Sequence, residues 1–193
     1  MAVDEISRRL KEISNRSAVS LIIDINNYFT AMKEVVKHTE DEGIACVYIT
    51  STIPSTVIKE QLASEGLSAE HVLFIDCISY MVGSTPTISD KVIYIESPTM
   101  LESIMLKVDM WLKKLKEGRK AVLLDSVSAL AMHNDRNLLS EFLHYFVNHI
   151  RGKNIQTIIL SIAEQTPEEL ETVLRLVCDE TLILKGEEQS LDK

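Results

Sequence analysis

The chain has 193 residues, 46% hydrophobic and 25% charged, which suits one globular domain with a full core. Its 29 acidic residues outnumber 20 basic ones, so the net charge of −9 repels a phosphodiester backbone on average and leaves nucleic acid only a local basic patch. That composition excludes fibrous and disordered classes, and no apolar run approaches the ~20 residues of a membrane span.

The N-terminal segment, 1–16, carries Ile6, Leu10 and Ile13 on one stripe, and a helix is expected over 3–15. It has no apolar signal core, so a cytoplasmic protein is expected. "AVSLIIDI" (18–25) reads as a buried strand. A helix over 28–42 follows, then the strand "IACVYITS" (44–51). Pro54 opens a helix that Gly66 closes, the usual proline-start, glycine-stop asymmetry. "HVLFIDCIS" (71–79) is a third strand, and "KVIYIE" (91–96) is a short strand or an extended approach to the next helix. That helix opens at Ser97-Pro98 and runs to about Glu117, with Leu101, Ile104, Met105, Val108, Leu112 and Leu115 at helical spacing.

A strand over 121–125, a helix over 135–151 and a strand over 155–163 come next. "TPEE" (166–169) reads as a capping box with proline at the first helical position, opening a helix through Val177. "ETLILK" (180–185) is the last strand, and 186–193 is a polar tail. Strands alternate with helices, and most are apolar along their whole length. The pattern predicts a single α/β domain over 1–193, three-layered, with a mainly parallel sheet and helices on both faces.

In such sheets ligands bind beyond the carboxyl ends of the strands. "AVLLDSVSAL" (121–130) ends an apolar strand in Asp125 and Ser126, where an aspartate commonly holds Mg²⁺ beneath a nucleotide. Its partner would be a phosphate loop GxxxxGK[ST] after the first strand, because successive backbone amides must wrap the phosphates while a lysine reaches the terminal ones. The chain has "DINNYFTAMK" (24–33) there. Asn26 takes the first glycine's position, Ala31 the second, Met32 the lysine's and Lys33 the hydroxyl's. None of the six glycines lies in the first 42 residues, and the unusual dihedrals of such a loop cost other residues on the order of 1–2 kcal/mol each. Asn26 and Asn27 tolerate the left-handed region and suit a plain turn or helix cap, and Asp24 opposes a polyphosphate.

The stretch 95–185 resembles the second half of KaiC-like domains of the RecA superfamily, of the archaeal type. The resemblance is carried by "SP" opening a helix, "LLDSVSAL" as a Walker-B-like strand, "NDRNLLSEFLHYFVNHIR" as the following helix and "CDETLIL" near the end. The order of elements extends it over about 18–185. It implies a RecA-like (P-loop NTPase-like) fold, a Walker A loop, and one or two water-activating glutamates after the second strand. The chain departs from both functional elements: Walker A is degenerate at 26–33, and "YITSTIPS" (48–55) has no carboxylate before Glu60. The resemblance also makes Gln165, just after the strand 155–163, a candidate nucleotide-sensing residue.

The expectation is a non-catalytic, RecA/KaiC-like pseudo-ATPase used as a protein-interaction or regulatory module. It has no catalytic residue and a vestigial nucleotide site at Asn26, Asn27, Lys33, Asp125, Ser126 and Gln165. No cofactor is expected. The alternative is an ATP-binding ATPase or switch with a non-standard phosphate loop, which would take ATP and Mg²⁺. RecA-like relatives assemble protomer to protomer, so the expected partner is a protein, either a second copy or an active ATPase paralogue. Neither nucleic acid nor membrane is expected.

Other chemistry is thin. Cys46, Cys77 and Cys178 are odd in number, lack CxxC spacing and sit in or beside apolar runs, as free thiols in a reducing setting. His144 and His149 are five apart on one helix and so face differently, unlike a metal pair at i and i+4, and no metal site is expected. Ser126, Asp125 and His133 lack the nucleophile elbow of a hydrolase. The basic run "KKLKEGRK" (113–120) reads as the solvated end of a helix.

Overall fold

The computed structural model describes residues 5–84, 86, 89–115 and 117–184. In chain order these form α1 (Glu5–Glu12), β1 (Ala18–Ile23), a 3₁₀ turn (Ile25–Asn27), α2 (Tyr28–Asp41), β2 (Ala45–Thr50), α3 (Ser55–Ser64), β3 (Val72–Asp76), β4 (Val92–Tyr94), α4 (Leu101–Lys114), β5 (Lys120–Asp125), α5 (Val127–His133), α6 (Arg136–Arg151), β6 (Gln156–Ile162), α7 (Glu168–Val177) and β7 (Glu180–Leu184). The seven strands make one sheet in the order β4-β3-β2-β5-β6-β1-β7, and every pairing is parallel. Parallel strands need crossover helices, which cover both faces, so the strand interiors are apolar throughout.

Alternation along each strand splits the core in two. One face packs Val47, Ile75, Leu124 and Ile159 against α4, α5, α6 and α7. The other packs Tyr48, Phe74, Leu123 and Ile158 against α1, α2 and α3. The α/β, three-layer expectation therefore holds, with the sheet wholly parallel.

Differences from expectation concentrate at strand ends. β1 stops at Ile23, β3 at Asp76 and β6 at Ile162, two, three and one residue before the predicted ends at 25, 79 and 163. At two of these ends an aspartate captures amides two or three residues on: Asp24 takes that of Asn27, and Asp76 takes those of Ile78 and Ser79. Such a local turn competes with further pairing. The helix expected from Pro98 begins at Leu101. α5 is a helix not expected at all, started by the Ser126 hydroxyl accepting from the Ala129 amide at 3.2 Å.

The "TPEE" capping box does not form. Pro167 is the cap residue, and the Thr166 hydroxyl instead bonds the Ile162 carbonyl at 2.8 Å and meets the Ser128 hydroxyl at 2.7 Å. α2 ends at Asp41, one residue before the expected end, and is followed by Gly43, whose φ of 61° is a left-handed turn that side chains resist. Of the basic run, Lys114 stacks on the Trp111 ring and bonds the Asp90 carbonyl, while Lys120 bonds the Leu112 carbonyl. The expected tail, 186–193, lies outside the described residues. No helix among the described residues is long and apolar enough to cross a membrane.

Candidate functional site

The strand register sets Thr50 of β2 beside Asp76 on one side and Asp125 on the other. Two fully buried carboxylates thus stand level at the carboxyl edge of the sheet. Asp125, at the end of β5, is enclosed by hydroxyls. Tyr28, from the first turn of α2, donates to its Oδ2 at 2.5 Å, and Tyr48 of β2 donates to the same oxygen at 2.6 Å. Thr52 donates to Oδ1 at 3.1 Å.

Each donor is delivered by its local structure. The 3₁₀ turn joins β1 to α2 with no wider loop, which brings Tyr28 into the interior at 6% exposure. Period-two alternation puts Tyr48 on the face shared with Cys46, where its ring stacks on Phe74 at 5.2 Å. Behind the carboxylate, the Asp125 carbonyl accepts from the Ser51 amide at 2.7 Å and from the Ser51 hydroxyl at 3.1 Å. The Asp125–Ser126 peptide is cis. Thr52 and Ser126 place their hydroxyl oxygens 3.2 Å apart.

Burial raises the Asp125 carboxyl above the usual carboxylate range, while the hydrogen bonds from Tyr28, Tyr48 and Thr52 pull the other way. Burial and then the charge of Asp125 raise both phenols well above the ordinary tyrosine value. Tyr28 and Tyr48 therefore stay protonated and act as donors.

Asp76 is saturated differently. Its Oδ2 accepts from the Ser55 amide at 2.8 Å and the Ser79 hydroxyl at 2.7 Å, and its Oδ1 accepts from the amides of Ile78 at 3.1 Å and Ser79 at 2.9 Å. It ties the N-terminus of α3 to the loop after β3, at the end where a carboxylate suits the helix dipole.

The turn after β1 is closed on itself. Asp24 accepts from the Asn27 amide at 3.1 Å and from Asn27 Nδ2 at 2.7 Å. Asn26 is exposed, and Ala31 and Met32 are buried inside α2. Lys33 pairs across to Glu65, beyond the end of α3, at 3.3 Å. Gln165 is exposed in the turn after β6. Of the six expected site residues, Asp125 and Ser126 share one hydrogen-bonded cluster. Among the described residues, Asn26, Asn27, Lys33 and Gln165 have no hydrogen bond to it. A depression of about 400 Å³ beside the ends of β1, β6 and β7 is lined by Ile22, Ala163, Ile183 and Leu184 and by Asp24, Glu164 and Glu171, with Arg175 as the one cation among the described residues.

Tyr28, Tyr48, Thr52 and Asp76 escaped sequence reading. A tyrosine inside an otherwise apolar strand was the available signal, because a buried phenol needs a partner. His149 bonds Asp109 at 2.9 Å and stacks on Tyr145. No group of three metal-ligating side chains occurs among the described residues.

A seven-stranded parallel sheet, with β6 inserted between β1 and β5 and an aspartate ending β5, defines a RecA-like fold of the P-loop NTPase class. The comparisons narrow this. The family model "ATPase: KaiC" matches residues 29–191, and the chain belongs to the KaiC family. No curated protein matches the sequence. Among solved structures, it is similar to the KaiC-like protein PH0186 from Pyrococcus horikoshii OT3, with TM-score 0.66 and 14% identity over 92% of this chain and 75% of that one. It is also similar to the flagellar accessory protein FlaH from Methanocaldococcus jannaschii, with TM-score 0.65 and 13% identity over 95% and 77%. A third, PH0321 from Pyrococcus horikoshii in complex with an unknown peptide, gives TM-score 0.66 and 15% identity over 95% and 84%.

Proposed function

We propose that this KaiC-family domain is non-catalytic and serves as a protein-interaction or regulatory module. The observation that carries the reading is the Asp125 carboxylate, buried and already hydrogen-bonded by Tyr28, Tyr48 and Thr52. A metal at that position would have to displace two phenols from one oxygen. The rest of the edge fits a magnesium nucleotide no better. The turn after β1 has spent the Asn27 amide on Asp24, Lys33 is paired with Glu65, and the charged side chains described in the depression beside β1 are three carboxylates against one arginine. The strand β2 is followed by Ser51, Thr52 and Ile53, none of which can activate water as a carboxylate does. No cofactor is proposed.

The partner proposed is a protein, either a second copy or an active ATPase relative. The structurally similar PH0321 was solved in complex with an unknown peptide, which is in keeping with this use of the fold. The rival reading, ATP held through a non-standard phosphate loop, is decided by calorimetry. Titration with ATP and Mg²⁺ is expected to give no heat of binding. Sub-millimolar binding that Asp125→Asn abolishes would overturn the proposal.

A further inference from the structure

α4 and α6 precede two neighbouring parallel strands on the same face of the sheet, so they lie side by side and run in the same direction. Toward their N-terminal ends they part into a groove of about 450 Å³ lined by Leu101, Glu102, Met105, Leu138, Glu141, Phe142 and Tyr145. Its floor is closed core: Leu101, Met105 and Phe142 are each less than a tenth exposed. Its rim is not, since Leu138 is 52% exposed and Tyr145 58%. Further along, the Asp109–His149 pair, joined by Lys153, ties the two helices together and ends the groove.

Glu102 stands on the α4 wall and Glu141 on the α6 wall. Among the described residues, neither has an ion-pair partner and no lysine or arginine lines the groove. Two unpaired carboxylates flanking an apolar trough select against several occupants. The segment 185–193, KGEEQSLDK, has one apolar side chain, Leu191, and more acid than base, so its composition does not match an apolar trough flanked by carboxylates. A second copy docking groove to groove would set the Glu102 and Glu141 of one copy against those of the other, because a two-fold contact uses the same patch twice. What the chemistry fits is a foreign segment with apolar residues for the trough and lysine or arginine on both flanks, the helix-in-groove mode of recognition.

We propose that the α4–α6 groove docks an amphipathic, cationic segment of a partner protein. The proposal rests on the interaction-module reading and names its surface. The two fail by different measurements, because nucleotide binding overturns the module reading and says nothing of the groove.

The test uses the full chain and a fluorescent helical peptide of leucine and lysine, with a glutamate-for-lysine twin. Fluorescence anisotropy should show binding of the lysine peptide only. The double variant Glu102→Lys/Glu141→Lys should weaken it by about tenfold or more. Glu40→Lys/Glu60→Lys makes the same charge change on exposed positions of α2 and α3, across the sheet, and should leave affinity nearly unchanged. Leu138→Ala/Tyr145→Ala, which removes rim rather than core, should also weaken binding while circular dichroism stays native. Equal loss in both charge variants would reduce the effect to net charge and overturn the proposal. So would binding of the glutamate twin, or self-association by sedimentation that Leu138→Ala/Tyr145→Ala abolishes.

Discussion

Asp76 and Asp125 occupy equivalent places, each level with Thr50 and each fully buried, yet the chain satisfies them by opposite means. Asp76 takes three backbone amides and one hydroxyl, all from residues within about one turn of chain or at the adjoining helix start. Asp125 takes no amide at its carboxylate, only side-chain hydroxyls carried by three separate positions. An amide-held carboxylate is part of the backbone scaffold and has no substitute ligand to offer. A hydroxyl-held one has its lone pairs taken by the side chains of Tyr28, Tyr48 and Thr52. On the proposed reading, the same edge of the sheet holds one carboxylate that builds the fold and one that is sealed.

The largest effect that would break this contrast is expected at Asp76. Asp76→Ala orphans three buried amides and removes the charge at the start of α3, costing about 4 kcal/mol by urea denaturation. If Asp76→Ala and Asp125→Ala cost the same, the distinction between scaffold and seal fails. Asp125→Ala should cost about 2 kcal/mol, because relief from burying a carboxylate offsets part of the lost hydrogen bonds. Tyr28→Phe and Tyr48→Phe should cost about 1 kcal/mol each, and the double variant more than their sum, since the two phenols share one oxygen.

The pH dependence sharpens the contrast further. The folded Asp125 carboxyl is raised, so the folded state binds the proton more tightly than the unfolded chain does. Its contribution favours folding most below about pH 4 and declines as pH rises through the raised value. The urea midpoint of the wild type, relative to Asp125→Asn, should accordingly fall over that window. Tyr28→Phe removes a bond that opposes the rise, and should carry the window to higher pH.

The smallest expected effect comes from His38, buried in α2 with both ring nitrogens unpartnered among the described residues and its pKa lowered by burial first. A depressed histidine contributes stability that is complete above about pH 6.5 and is lost as pH falls through the folded value. His38→Leu should flatten the acid limb of the urea midpoint by a fraction of the total, leaving a slope from the similarly lowered His71.

Most of the sheet was legible because parallel strands buried on both faces read as unbroken apolar runs. The strand ends were less so, since Asp24 and Asp76 divert the backbone through bonds to their own neighbours that hydrophobicity does not encode. α5 was missed because seven residues between a strand and a long helix show no periodicity of their own. Asp125 was found from its motif, but its surroundings were hidden by distance along the chain. Tyr28 lies 97 residues away and Tyr48 77, and nothing local to either predicts the other end of the bond. Lys33 was drawn to the site by its place in the sequence, whereas the helix carries it toward Glu65.

The insertion of β6 between β1 and β5 has a consequence for how the molecule comes into being. β1 pairs only with β6 and β7, so Ala18 waits for Thr157 and Val19 for Glu180. During synthesis the segment "AVSLII", fully apolar but for one serine, has no ladder partner until β6, well over a hundred residues later, has been made. Contacts this distant slow folding, and an unpaired apolar strand is a template for aggregation while it waits. In the folded protein the amphipathic α1, packed on α2, shares the core cluster of Val19, Leu21 and Ile23, so it is the neighbouring element in sequence that can cover one face of that strand.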